Sequence, residues 1–339
     1  MKNTFFTYSK EQLKDLLITS GFKAYSAEQI FKWVYEKQEF NPEKMTNISK
    51  DLQAFLLAFF DFSTLNLVEE QRSKTGTNKY LFRLEDGIVI ETVLMDHDYG
   101  LSLCVTTQAG CSMGCSFCAS GLVKKERDLR VAELVLQVIS VQVLTSKKIT
   151  HLVLMGTGEP FDNYQNIMRF IEIVNDKNGL QIGARHITVS TSGIVPMIYE
   201  FAKEKIKANL AISLHAPNDA LRTKLMKVNR AYPLADLIEA VKAYYALTKR
   251  RVTFEYILLK GVNDELSHAN QLSDLIRGIN AYVNLIPYNP VSEFTYEKTD
   301  MERAGRFHQQ LLKRGINATL RKEMGSDIDA ACGQLRLKK

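Results

Sequence analysis

Three cysteines share one short stretch, Cys111-Ser-Met-Gly-Cys115-Ser-Phe-Cys118. At this C-x3-C-x2-C spacing, three thiolates can each take one iron of a four-iron cubane and leave the fourth iron open to a substrate. A closed electron-transfer cluster wants a fourth cysteine nearby, and a structural zinc site wants four ligands in two pairs. Neither pattern is completed, so the spacing favours an open-site cluster over zinc. Phe117 before the last cysteine and the strand-like lead-in Leu101–Thr107 fit that reading. A second stretch, Met155-Gly-Thr-Gly-Glu-Pro160, offers glycines that admit a ligand to the backbone. Its carboxylate, Glu159, can accept hydrogen bonds from an ammonium group. Alone this is ordinary turn sequence; one strand after the cysteine loop it gains weight.

Two further cysteines stand apart. Cys104 lies within the lead-in strand, and Cys332 lies in Gly325-Ser-Asp-Ile-Asp-Ala-Ala-Cys-Gly-Gln334, between glycines and beside a basic tail. A lone cysteine is usually a small buried hydrophobe, yet this context reads as a loop and a thiol that can move. Five thiols are an odd number. No apolar leader shows in Met1-Lys-Asn-Thr4, and no run of eighteen apolar residues occurs. These features give the expectation of a reducing, cytoplasmic setting without a membrane span. The net charge is +6, with 44 Lys and Arg against 38 Asp and Glu. It permits a nucleic-acid partner and equally suits a solvated surface. The basic groups cluster at Lys124-Lys-Glu-Arg127 with Arg130, at Lys249-Arg-Arg251 and at Arg336-Leu-Lys-Lys339, two of the three beside cysteines. Those two are candidates for phosphate contact.

The elements that must position these groups alternate from about residue 100. Strands are expected at Leu101–Thr107, His151–Met155, His186–Ser190, Asn209–Ser213, Val252–Leu258, Tyr282–Pro287 and Ala318–Lys322. Most are short apolar runs of the kind buried on both faces. Helices are expected at Val131–Leu144, Tyr164–Asn175, Val195–Lys205, Leu234–Thr248, Ser267–Arg277 and Thr299–Arg314. Such alternation implies an α/β fold with parallel strands: a partial (β/α)6 barrel, with a doubly wound open sheet as the rival. In both, chemistry belongs at the carboxyl ends of the strands, where the cysteine loop sits. The chain's first part reads differently. Lys10–Ser20, Ala27–Glu36 and Ser49–Phe60 are amphipathic helices, the second opening on a capping-box pattern at Ser26-Ala-Glu-Gln29. Lys79–Leu84 and Ile88–Leu94 form a hairpin across Glu85-Asp-Gly87. The expected division is a helical accessory domain at 1–75, a β extension at 76–99 and the catalytic barrel at 100–339. Lys23, Lys32 and Lys37 would let the helical part bind RNA; a packing cap for the barrel is the plainer role.

The cysteine loop with the Gly-Glu segment resembles the radical S-adenosylmethionine superfamily. Leu103-Cys-Val-Thr-Thr-Gln-Ala-Gly-Cys111, Met155–Pro160, Ser190-Thr-Ser-Gly193, Ser213-Leu-His-Ala-Pro217, Asn284-Leu-Ile-Pro-Tyr-Asn289 and Asp327–Leu335 sharpen the match. In family order and across the whole chain, they resemble the RlmN/Cfr family of RNA adenosine methyltransferases. The resemblance implies a 4Fe-4S cluster on Cys111, Cys115 and Cys118. It implies S-adenosylmethionine, two molecules per turnover, held by Gly158, Glu159, Ser190, Ser213, Leu214, His215 and Asn289. It makes Cys332 the methyl carrier, Cys104 its resolving partner and Glu91 the proton acceptor. By residue type alone, Glu91 reads as a surface strand carboxylate and His215 as a satisfied polar residue. Gly-Glu-Pro, where Cfr-type members carry Gly-Glu-Ala, points to the RlmN branch. That branch methylates C2 of an adenosine in 23S ribosomal RNA and, in many members, in tRNA.

The implied partners are those RNAs and an external, flavodoxin-like electron donor, with a monomer as the default state. The implied chemistry suits the target. Adenine C2 is electron-poor and cannot attack a sulfonium methyl, so a carbon radical on a methylated Cys332 adds to it. The resulting protein–RNA adduct is released when Cys104 attacks Cys332 to form a disulfide. Alternatives remain open here: Cfr-type methylation at C8, a radical enzyme acting on a small metabolite or peptide, and an iron–sulfur or zinc RNA-binding protein without activity.

Overall fold

The computed structural model describes residues 2–205 and 207–336. Ten strands form one continuous sheet: β1 (Asn66–Arg72), β2 (Thr77–Arg83), β3 (Val89–His97), β4 (Gly100–Cys104), β5 (His151–Leu154), β6 (Ile187–Thr191), β7 (Asn209–Ser213), β8 (Val252–Leu258), β9 (Ala281–Pro287) and β10 (Ala318–Leu320). Their spatial order is their chain order. β1 to β4 form an antiparallel meander. From β4 onward every pairing is parallel. A doubly wound sheet must reverse its strand order at a switch point. Here there is no reversal, so right-handed crossovers place the helices on one face and the sheet curls into a partial barrel.

Among the described residues there are ten α-helices: α1 (Lys10–Thr19), α2 (Ser26–Phe31), α3 (Lys50–Phe59), α4 (Val131–Thr145), α5 (Tyr164–Asn175), α6 (Val195–Lys203), α7 (Asp219–Leu225), α8 (Leu234–Thr248), α9 (Leu266–Leu275) and α10 (Met301–Lys313). Those from α4 onward follow strands, giving six strand–helix units with β10 as a seventh parallel strand. No described helix is long and apolar enough to cross a membrane.

The barrel strands are not apolar on both faces, as the short runs suggested. They alternate. Leu210, Ile212, Val252, Phe254, Val283 and Leu285 are fully buried toward the helices. The intervening Ser213, Thr253, Glu255, Tyr282 and Asn284 line cavities inside the barrel. Side chains alternate between the two sides of a strand, so this pattern gives a lumen with polar walls and an apolar shell. α4 is covered on all sides: every residue from Val131 to Gln142 is buried. It lies beneath the N-terminal helices, which are themselves held by an aromatic cluster. Phe5 stacks on Phe62 at 4.9 Å and meets Phe60 edge-on at 5.4 Å. Burying one such ring contributes about 1.5–3 kcal/mol. The helical part is thus packed on the barrel through an extended core, with Lys10 paired to Asp176 at 3.0 Å across the seam.

Two local readings need correction. Ser26 makes no capping bond: it is a buried first-turn residue, and Tyr25 at the cap is already helical. A capping box is instead found at α1, where Ser9 and Gln12 satisfy each other's backbone N–H groups. After α2 the chain continues as one wide π-turn, Lys32–Glu36, rather than as α-helix. β1 and α7 are additional elements that the sequence pattern did not announce.

Candidate active site

The cysteine loop leaves β4 at the carboxyl end of the barrel. It is fastened by backbone bonds: Cys111 N–H donates to Val123 O (3.2 Å), Ser116 N–H to Leu225 O (2.9 Å) and Ala119 N–H to Gly333 O (2.8 Å). Phe117, buried, meets the His215 ring edge-on at 5.0 Å. Burial pushes the Cys111 thiol up to about 11. Burial and then repulsion from its neighbours raise Cys115 well above the ordinary thiol value. Burial likewise raises Cys118. Three half-buried thiols that repel each other's ionised forms are a donor set that wants a cation. No three His, Cys, Asp or Glu side chains among the described residues converge on one point fit for a single ion. Three thiols that each take a different iron of a cubane need no such convergence, so the donor set fits a cluster better than mononuclear zinc.

Beside the loop is a cavity of about 150 Å³ lined by all three cysteines, Gly158, Glu159, Ser190, Ser213 and His215. Gly158 has φ +112°, and a Cβ there would stand 2.7 Å from the Gln108 side chain; a Cβ on Gly156 would stand 2.8 Å from Thr106 N. The turn therefore requires glycine at both positions. Glu159 is buried, which raises its pKa. Its two oxygens accept from the N–H groups of Phe161 (3.0 Å) and Ser192 (2.7 Å). Ser190 and Ser213, on adjacent strands, bring their hydroxyls within 3.4 Å. Burial, then the nearby Arg222, drive His215 down to about 3. It is therefore a neutral imidazole whose Nδ1 accepts from Ile257 N–H at 3.1 Å, which fixes its proton on Nε2.

A second cavity of about 480 Å³ continues through the barrel. It is lined by Cys104, Glu255, Asn284, Asn289, Arg321 and Cys332, and by His97 and Tyr99 farther down. Cys118, Glu255 and Cys332 line both cavities. Burial lifts Cys104 to about 12, with Cys332 adding to it. All five cysteines are free thiols; Cys332 is exposed and Cys104 buried. Arg321 faces both of these thiols. Chiefly Cys332 holds its guanidinium above the ordinary value, against the pull of burial. Glu255 is raised by burial; one oxygen accepts from Asn284 (3.0 Å), and the other, like Ser192 Oγ, is buried without a partner among the described residues. Unsatisfied buried polar atoms at a cavity wall suit a polar ligand such as S-adenosylmethionine.

The structure therefore gathers most of the expected residues, with three departures. Asn289 lines the larger cavity rather than the smaller, and its Nδ2 donates to Cys332 O at 3.5 Å. Leu214 lines neither; it is fully buried, with its N–H bound to Glu255 O and its carbonyl to Arg222. Glu91 lines neither as well. It is buried on β3, 3.4 Å from the ammonium of Lys79, and accepts from Arg336 N–H at 2.7 Å. Lys79, Arg321 and Glu255 escaped the sequence reading. For Glu255, a carboxylate inside the otherwise largely apolar strand Val252–Leu258 was the available signal.

The expected phosphate contacts need revision. Lys125 pairs with Asp128 (2.7 Å) and Asp162 (2.8 Å). Arg127 pairs with Glu133 and Asp86, both at 2.7 Å. Arg336 pairs with Glu293. Their charge is already neutralised by carboxylates far away in sequence or on the next turn. Lys124 is exposed. Leu337, Lys338 and Lys339 lie outside the described residues.

Comparison with known proteins agrees with this geometry. Residues 105–271 match the radical SAM superfamily, and residues 4–60 match the ribosomal RNA large subunit methyltransferase N-terminal domain. Proteins of Staphylococcus carnosus and Staphylococcus aureus (strain JH9), each named "Probable dual-specificity RNA methyltransferase RlmN", are 52% identical over 99% of this chain and 93% of theirs. The crystal structure of a radical SAM methyltransferase from Sphaerobacter thermophilus is 43% identical. It superimposes with a TM-score of 0.93 over 98% of this chain and 99% of its own. Streptococcus suis SuiB bound to S-adenosylmethionine, 15% identical with a TM-score of 0.50 over 67% of this chain and 55% of its own, shares the fold alone.

Proposed function

Because this chain belongs to the RlmN family of radical SAM RNA methyltransferases, we propose that it methylates C2 of an adenosine in 23S ribosomal RNA and in tRNA. The route is a methylated Cys332 and a covalent protein–RNA intermediate, acting in the cytoplasm with an external electron donor. One observation carries the reading: Cys332 lines both the cavity beside the three clustered cysteines and the larger cavity behind it. A thiol so placed can take a carbon on one side and deliver it on the other.

Cys111, Cys115 and Cys118 would hold the 4Fe-4S cluster. Gly158, Glu159, Ser190, Ser213 and His215 would hold S-adenosylmethionine, with Asn289 and Leu214 acting from behind the cavity. When bound, these groups supply a transferable methyl and a one-electron route to a carbon radical. The protein's own part is nucleophile, aim and proton traffic. Cys332, exposed and beside Arg321, is the thiol that takes a methyl by displacement. The larger cavity takes the adenine, extruded from a single-stranded or loop segment at a cost of a few kcal/mol. Glu91 accepts the proton lost from the ring carbon. Cys104, beneath Cys332 on β4, attacks the Cys332 sulfur and frees the RNA. In that exchange the S–C bond breaks with its electron pair going to the carbon, which takes a proton and becomes the methyl group, while an S–S bond forms; the two sulfurs are oxidised by two electrons, so an outside reductant must restore the thiols.

C2 is favoured over C8 by Pro160, which lines the smaller cavity. Nucleoside analysis tests the whole reading. RNA treated with reduced enzyme and S-adenosylmethionine should yield 2-methyladenosine on digestion. A dominant 8-methyladenosine product would move the chain to the Cfr-type activity, and unmodified RNA would end the proposal.

A further inference from the structure

Lys79 has no place in the chemistry above, yet it is among the most deeply buried charges of the molecule, 1% exposed. It lies on β2 opposite Val93, with Glu91 diagonal to it on the neighbouring strand. Its ammonium stands 3.4 Å from Glu91 Oε1 and donates to the carbonyl of Asp329 at 3.1 Å. Glu91 Oε2 in turn accepts from the N–H of Arg336 at 2.7 Å. Asp329 and Arg336 flank Cys332 on the same loop. The buried pair therefore grips both shoulders of the segment that carries the mobile thiol.

Glu91, Val93 and Met95 share one side of β3. Val93 and Met95 line the larger cavity, and Glu91 does not. What comes between is the loop itself: Leu335 lines the cavity, and Arg336 sits on the carboxylate. In this state the carboxylate meant to receive a proton from the substrate is sealed off from it.

We propose that Lys79 is a positioning residue and that the Lys79–Glu91 pair is a latch on the Cys332 loop. With the loop down, the pair fixes Cys332 at the junction of the two cavities. When an adenine enters and the 335–336 side lifts, Glu91 loses its Arg336 N–H, joins the cavity wall beside Val93 and faces the ring. Lys79 keeps the Asp329 shoulder in place meanwhile, so the thiol does not drift from its target. A buried carboxylate is tolerable only with a cation beside it, and Lys79 is that cation before and after the loop lifts. The proton acceptor is thereby uncovered only while substrate occupies the cavity. The chemical roles of Glu91 and Cys332 rest on the function proposed above; the latch itself does not.

Amide exchange of segment 325–336 in the full-length, cluster-loaded protein tests the latch without any turnover. The variants are Glu91→Gln, Lys79→Arg and the double variant Lys79→Met/Glu91→Gln, which removes both charges of the Lys79–Glu91 pair together and so keeps the fold within reach. Exchange in 325–336 should quicken about tenfold or more in the double variant, and Lys79→Arg should stay near wild type. Exchange in the cysteine loop should not change. Unaltered exchange of 325–336 in the double variant overturns the proposal. A second readout splits the steps. Glu91→Gln should hold RNA covalently, and Lys79→Met should slow methyl loading on Cys332 about tenfold, with Lys79→Arg restoring it. Wild-type loading and release in Lys79→Met would also overturn it. If 325–336 loosens as stated while the wild-type protein never methylates Cys332, the latch stands and the functional reading fails.

Discussion

Just past Cys118 the loop 111–118 is joined to the loop 325–336 by Ala119 N–H on Gly333 O and by Ser120 Oγ on Leu335 O, and the two loops are otherwise held in different ways. The first is tied largely through its own backbone to Val123 and Leu225, and its three thiols are raised by burial. The second is tied mostly by side chains reaching in from other elements. Ser73 holds Asp327, Thr75 holds Gly325 N–H, Lys79 holds Asp329, and Ser120 holds the Leu335 carbonyl. Its thiol is exposed. Backbone anchoring suits ligands that must stay put around a cluster. Side-chain anchoring is broken one bond at a time and suits a group that must travel. Under the proposed function, three sulfurs hold the cluster and one moves, with the lumen between them.

The largest effect should come from breaking the fixed loop. Cys111→Ala, Cys115→Ala or Cys118→Ala should lose the cluster and all release of 5′-deoxyadenosine. Cys332→Ala should keep full iron and sulfide content yet never carry a methyl. Iron and sulfide analysis beside peptide mass spectrometry reads both, and loss of iron in Cys332→Ala would blur the distinction. Next in size is the pH dependence of RNA release. Cys104 stays protonated far above neutrality because burial holds it near 12, and only its thiolate attacks. Single-turnover release should therefore quicken about tenfold per pH unit between pH 7 and 9, a profile read by quenching the adduct on gels.

His215, packed under Phe117, sharpens the comparison from the fixed side. Its folded value near 3 lies below the ordinary 6.5. The unfolded chain therefore takes up a proton that the folded one refuses as pH falls below 6.5. Stability from this group is fully present above that value and declines by about 1.4 kcal/mol per pH unit down toward 3. Urea unfolding at pH 7 and pH 5 should show a smaller acid loss in His215→Gln than in wild type, by about 2 kcal/mol. The smallest effect concerns RNA charge contacts. Lys124→Ala should reduce the slope of log affinity against log salt by about 0.7–0.9. Lys125→Ala, whose charge is already paired with Asp128 and Asp162, should leave it nearly unchanged.

Much of this was legible in the chain. Asn209–Ser213, Val252–Leu258, Tyr164–Asn175 and Leu234–Thr248 were readable to the residue, because each carries a clear period bounded by turn residues. The cluster loop was legible because thiol spacing is local. β1 was not, since Asn-Leu-Val-Glu-Glu-Gln-Arg is a largely exposed edge strand with little apolar signal. α7, seven residues long, is too short for its period to stand out. The burial of Lys79 was illegible for a different reason: its cover is a loop 250 positions away, and no window of sequence contains both. The internal pairing of Lys125 and Arg127 was hidden in the same way by Asp162 and Asp86. Local pattern marked where the proposed chemistry would sit; long-range contacts decide which charges pair within the protein.

The central claim is that Cys332 carries carbon from one cavity to an adenine in the other. The Cys104→Ala protein tests it most directly, because it can load and attach but cannot release. After anaerobic incubation with reductant, RNA and methyl-labelled S-adenosylmethionine, nuclease and protease digestion should leave one labelled peptide. The account predicts that this peptide is the one containing Cys332, with its sulfur joined through a single labelled carbon to C2 of an adenosine. A normal yield of methylated RNA with no attached protein, or a bridge mapped to any residue other than Cys332, would contradict it.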